Sequence, residues 1–206
     1  MTNERKTDWG GLRGEIAMAA ARLIAEEGAT YEMAKKKAAH QILGNKRING
    51  KFLPDNTEIE EELRIYNALF MADTQPARLL HLRRTALQMM HELAQFQPYI
   101  TGAVLNGTAG EHSDIHLQLF AESAKDVEIF LLNKNIDISV TESPGYRGKT
   151  QAVETIHFYY ESEIFHLAVY NPDDMRKMVR AMDTQAERAD IGELERLIEQ
   201  QTTLSA

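Results

Sequence analysis

Cysteine is absent from the 206-residue chain. That removes disulfides, Cys-ligated zinc, iron–sulfur clusters and thiol nucleophiles together, and it fits a reducing compartment. No run of 18 apolar residues occurs, and the opening MTNERKTDWGGLRGE has no apolar stretch of the kind a secretory leader needs. Neither a membrane span nor a signal peptide is therefore expected, and the expected setting is the cytoplasm. Basic residues are the scarcer charge: 23 Lys and Arg stand against 31 Asp and Glu, a net of −8 with histidines neutral. A surface of that sign repels a polyphosphate backbone at long range and disfavours binding to extended nucleic acid. Basic clusters at Lys35–Lys37, at Lys46, Arg47 and Lys51, and at Arg83 and Arg84 leave room for a nucleotide or a short RNA. Several catalytic signatures are missing too: no G-x-x-x-x-G-K-S/T loop, no G-x-S-x-G elbow, no H-E-x-x-H pair and no G-x-G-x-x-G turn. What is present is average for a globular chain, 43% hydrophobic and 26% charged, and long enough for a sizeable core.

The first half reads as helix. Ile16, Ala20, Leu23 and Ile24 recur at helical spacing between Arg13 and Glu27, and Gly28 stops the pattern. Thr30 caps a second helix to about Leu43, ended by Gly44, and the turn-rich GNKRINGKFLP reads as a loop. Asp55 with Glu58 is a capping-box signature for a third helix to about Phe70. A fourth follows Thr74 and Pro76 and runs to Phe96, before Pro98. Beyond it the period changes. YITGAVLNG and SDIHLQLF read as strands, Ser123 with Asp126 as a capping box for a helix of about twelve residues, IDISVTE as a strand, and ETIHFYYES with EIFHLAVYN as a hairpin. The tail from Pro172 to about Gln201 reads as helix. The predicted class is α+β, with about four N-terminal helices packed on a mixed sheet and C-terminal helices after it. The expected division is a helical region over residues 1–75 and an α+β domain over 76–206.

One segment stands apart, NGTAGEHSDIHLQLF from Asn106 to Phe120. Read as a strand ending at a glycine, a turn and a second strand, it lets backbone N–H groups at Gly107 approach an anion and lets Thr108 donate to a phosphate oxygen. Asp114 then stands at the mouth of the second strand, on the same face as position 116. Gly107-Thr108-Ala109-Gly110 followed by Ser113-Asp114-Ile115-His116-Leu117 is similar to the signature of the polymerase-β-like nucleotidyltransferase superfamily, and the resemblance covers roughly residues 78–170. It implies a nucleoside triphosphate held by Gly107, Thr108 and Ser113, a catalytic Asp114, and divalent magnesium or manganese held by paired carboxylates.

Two positions depart from that pattern. Residue 116 is His where the superfamily has Asp, and the position expected for a third carboxylate on the last hairpin strand is His166. Magnesium prefers oxygen ligands, so either the chemistry is weakened or another acid substitutes. Glu154 and Glu163 are the available replacements, with Glu154 taken as the second catalytic acid. Asp114, His116 and His166 also match a facial triad suited to iron, manganese or zinc; against that stands the plainer reading of sheet histidines bonded to a neighbouring hydroxyl or carboxylate. His112 and His157 add imidazoles without diagnostic spacing. Arg83 and Arg84 are either phosphate ligands or a solvated helix face, with Lys125 and Lys149 equally ambiguous. The segment Gly145–Lys149 is either a flap over a substrate or an ordinary surface loop. Three functions remain open: nucleotidyl transfer to an acceptor hydroxyl, a catalytically degenerate nucleotide- or protein-binding module on the same fold, and an adaptor using an apolar patch on the first helices.

Overall fold

The computed structural model describes residues 9–44, 50, 53–143, 153–174 and 188–204. Most of the turn-rich segment after Gly44 and the whole Gly145–Lys149 segment lie outside the described residues. The chain divides into two compact units, one reaching to Pro76 and including Gly110–His112, the other formed by Ala77–Ala109 and the residues from Ser113 onward. Among the described residues no helix is long and apolar enough to cross a membrane.

The first unit consists of α1 (Trp9–Glu27), α2 (Tyr31–Leu43) and α3 (Asn56–Phe70). Thr30 caps α2 by accepting from the Met33 N–H, and Asp55 with Glu58 closes a full capping box on α3. Small side chains let the helices approach closely: Ala17, Ala20, Ala21, Ala34, Ala38 and Ala39 are buried beside Ile16, Ile59 and Leu63. Arg13 clamps Glu58, donating from Nε to Oε1 at 2.6 Å and from Nη2 to Oε2 at 2.5 Å. Gly28 ends α1 at φ +66°, and a Cβ there would lie 2.7 Å from the His112 Cβ. Only glycine fits both constraints. His112 thus packs in the helical unit.

The second unit is α+β. In chain order it contains α4 (Gln75–Glu92, from Ala77 on), a 3₁₀ turn (Ala94–Phe96), β1 (Tyr99–Thr101), α5 (Gly102–Asn106), β2 (Ile115–Phe120), α6 (Ala124–Asn133), β3 (Ile138–Ser143), β4 (Val153–Tyr160), β5 (Glu163–Tyr170), β6 (Arg188–Ala189) and α7 (Ile191–Leu204). The strands form one sheet in the order β3-β4-β5-β2-β1-β6. It is mixed, because β2 and β5 are parallel and every other pairing is antiparallel. Alternation assigns the faces. Ile115, Leu117, Leu119, Ile156, Phe158, Phe165 and Leu167 form one apolar core with Leu82, Met89 and Met90 of α4, Val127 and Leu131 of α6 and Leu194 of α7. The opposite face is mixed: it carries the histidines with Thr101, Gln118 and Thr141, beside Phe120, Ile164 and Ala168.

Three local expectations change. YITGAVLNG is a strand only to Thr101; the chain then turns at Gly102 (φ +71°) into the short helix α5, which buries Val104. A short apolar run fits a buried helix as well as a strand, and periodicity cannot separate them. Ser123 caps α6 through the Lys125 N–H and not that of Asp126. The tail is not helical throughout, since Arg188–Ala189 pairs with β1 as an edge strand before α7 begins. Residues 175–187 lie outside the described residues.

The β4–β5 hairpin turns on Glu161 and Ser162, both at positive φ, +49° and +68°. A two-residue turn of this kind matches the twist of its strands but favours Asn-Gly. Holding a residue with a Cβ in that conformation costs roughly 1–2 kcal/mol. Ser162→Gly is therefore expected to stabilise the protein by about 1 kcal/mol, read as a higher urea midpoint with an unchanged m-value.

Candidate functional site

The Gly107–Thr108 turn is built as a helix end. Gly107 caps α5 in the left-handed region at φ +86°, and its N–H and that of Ala109 both donate to the Ala103 carbonyl, at 3.1 and 3.0 Å. Thr108 is buried, and its N–H and hydroxyl converge on one atom, Asn106 Oδ1, at 3.0 and 2.7 Å. Two donors meeting one oxygen is the pattern a phosphate oxygen would receive, and the Asn106 amide takes that place. Arg83, expected at a phosphate or in solvent, is at neither. It is buried, and it donates to the Val104 and Leu105 carbonyls and to Gln201 Oε1. The guanidinium thus satisfies the carbonyl end of α5, and burial lowers its pKa from the usual value.

From Ser113, half-buried, the chain enters β2 through Asp114. On the histidine-bearing face the registers align one row across the sheet: Arg188, Thr101, His116, His166, His157 and Ser139. His116 and His166 stack with ring centroids 4.6 Å apart and planes 16° from parallel, while His157 meets His166 edge-on. His166 Nε2 lies 2.9 Å from Asp114 Oδ2, and its Nδ1 lies 2.6 Å from His157 Nδ1. His157 Nε2 lies 2.6 Å from the Thr141 hydroxyl. Crowding by the surrounding protein, reinforced by His166 and opposed by Asp114, pushes His116 down to about 4, although part of the residue reaches solvent. His157 is lowered in the same direction by burial and by His166. His116 is therefore neutral at pH 7, and the shift of His157 also favours its neutral form.

The two hairpin acids do not join this group. Glu154 pairs with Val169 and Glu142, and alternation places it on the face opposite His157 and Asp114, at the far end of the strand. Glu163, only 6% exposed, lies on the core face. Arg78 donates to its two carboxylate oxygens at 2.5 and 2.7 Å, and His81 Nε2 lies 3.0 Å from one of them. Burial alone would raise the pKa of Glu163, but Arg78 and then His81 overcome it and hold the carboxyl below its ordinary value. The structure therefore brings together Asp114, His116 and His166 of the expected set, and sets Glu154 apart.

A metal bound by imidazole lies in the ring plane along a nitrogen lone pair, which two stacked, parallel rings cannot both offer to one ion. Among the described residues no group of three or more His, Asp or Glu is arranged to hold a metal. The plainer reading describes His166, bonded to Asp114, and likewise His157, bonded to Thr141, while His116 meets the group by stacking on His166. His157 and Thr141 were not singled out by spacing; the signal for His157 lay in the hairpin register, and nothing local marked Thr141. No protein-family model matches the chain, and no curated protein matches it.

Proposed function

We propose that this chain is a nucleotidyltransferase-like binding module that takes a nucleoside triphosphate without transferring from it. The observation that carries this reading is the company of Asp114 among the described residues: two strand-paired imidazoles and no second carboxylate, with Glu154 on the other face and Glu163 clamped by Arg78. Two-metal transfer needs ions about 4 Å apart bridged by carboxylates, and one aspartate already bonded to His166 does not supply them. Support for a triphosphate comes from the Gly107–Thr108 pattern and from the two Thr108 donors aimed at one oxygen. In this reading a phosphate oxygen displaces the Asn106 amide from them, and magnesium arrives with the triphosphate, not on the protein. A cytoplasmic setting, where such nucleotides are abundant, belongs to the same proposal.

Thermal denaturation with each of the four ribonucleoside triphosphates, with and without magnesium, manganese or zinc, tests it. At ten times its Kd a triphosphate stabilises by about 1.4 kcal/mol, a rise of several degrees. The rise is expected to persist in Asp114→Ala and to vanish in Thr108→Val, which keeps the shape but loses the hydroxyl. Metal-dependent pyrophosphate release by the unmodified protein would replace this reading with nucleotidyl transfer. Identical melting under all conditions would end both.

A further inference from the structure

The hydrogen bonds running out from Asp114 have a direction. A carboxylate only accepts, and a neutral imidazole donates from one nitrogen and accepts at the other. With one proton on each of His157 and His166, a single assignment satisfies all three short contacts: His166 Nε2–H donates to Asp114, His157 Nδ1–H donates to His166 Nδ1, and the Thr141 O–H donates to His157 Nε2. The hydroxyl at the end of this chain is thereby hydrogen-bonded to a base whose tautomer is fixed from behind. That is the arrangement of an activated nucleophile: hydroxyl, base and orienting group, with a second imidazole inserted between base and acid. Thr141 is exposed on β3, which among the described residues is an edge strand paired with β4 alone, so a reactant can reach it. It also stands well apart from the Gly107 turn, since β3 is three strand spacings from β2, about 14 Å.

We propose that Thr141 is a nucleophile that accepts an acyl group from an uncharged activated ester, with His157 as general base and His166 and Asp114 as positioning residues. The electrophile is assigned by charge. The relay of Asp114, His166, His157 and Thr141 contains no lysine or arginine to hold a polyanion, so a neutral carbonyl suits it better than a phosphate ester. In the reaction the Thr141 Oγ bonds to the carbonyl carbon while its proton passes to His157 Nε2. The bond from that carbon to the ester oxygen then breaks, and the departing alkoxide takes the proton from His157. The products are an acyl-threonine and a free alcohol, and a water molecule following the same course restores the hydroxyl. This inference does not depend on nucleotide binding, and a negative nucleotide screen leaves it intact.

The test uses the full chain and p-nitrophenyl acetate. Nitrophenol release is expected with one acetyl group per chain, mapped by mass spectrometry to Thr141. Thr141→Val is expected to abolish the adduct, Thr141→Ser to keep it, and His157→Phe to slow its formation about 100-fold, the usual contribution of a positioned base. Nitrogen-15 shifts of the unmodified protein are expected to show His157 protonated at Nδ1 and His166 at Nε2. Asp114→Asn, whose amide can turn a donor toward His166, is expected to reverse the His166 tautomer and slow acetylation together, which a purely structural role would not do. Acetyl groups on lysine only, an adduct rate unchanged in His157→Phe, or the opposite tautomers in the unmodified protein would overturn the proposal.

Discussion

Arg78→Met is expected to destabilise the protein by about 3–5 kcal/mol at pH 7, the cost of leaving a buried carboxylate without its counter-charge. Glu163 is only 6% exposed, and Arg78 reaches both of its oxygens. His81, whose side chain is about half exposed, gives weak compensation. A loss of that size is a large part of the 5–15 kcal/mol that holds a typical domain together. The double variant Arg78→Met/Glu163→Leu removes both charges and is expected to recover most of the loss, because apolar replacements of similar volume often match a buried ion pair. The pH dependence follows from the direction of the Glu163 shift. Its folded pKa lies below the unfolded value, so its contribution is fully present above the unfolded carboxylate range and is lost as pH falls through the folded pKa. In Arg78→Met the same carboxyl, buried without its partner, favours its protonated form, and acidification relieves it. Urea midpoints of the two proteins are therefore expected to converge between pH 7 and pH 4. Equal midpoints at pH 7 would show that the clamp contributes nothing net.

Much of the architecture could be read from residue pattern, and the reasons are local. Asp55 and Glu58 form the capping box their spacing announces, and Thr30 caps α2. Parts of the site were equally within reach. A two-residue turn at Glu161–Ser162 pairs Tyr160 with Glu163 and, three steps back on each strand, His157 with His166. The same alternation gives Glu154 the parity of Ile156 and Phe158, and so the apolar face, which rules it out as a partner of Asp114. The parallel pairing of His116 with His166 was not legible, because it depends on β5 inserting between β2 and β4 after a crossover, with no local signal. Nor was the burial of Arg83, since nothing in a pair of adjacent arginines says which one will meet the carbonyl end of α5. Long-range register, not residue type, separates the two groups.

That register also makes the expected two-metal arrangement testable by substitution. Positions 116 and 166 are directly paired, and Asp114 lies two residues before 116 on the same face. Replacing both histidines with aspartate, H116D/H166D, would place three carboxylates within mutual reach. Without metal these like charges repel, and the variant is expected to melt below the unmodified protein. Magnesium at 100 times its Kd would return about 2.7 kcal/mol, so melting temperature is expected to rise steeply with millimolar magnesium in H116D/H166D and to stay flat in the unmodified protein. The substitutions also remove the imidazole between Asp114 and His157, so acetylation of Thr141 should fall while magnesium binding appears. An equal magnesium response in both proteins would mean that Asp114 and its imidazoles already hold the ion, despite the stacked rings. No response in either would mean that the paired positions do not face a common centre, and the likeness to a two-metal site would then extend no further than the Gly107–Leu117 pattern.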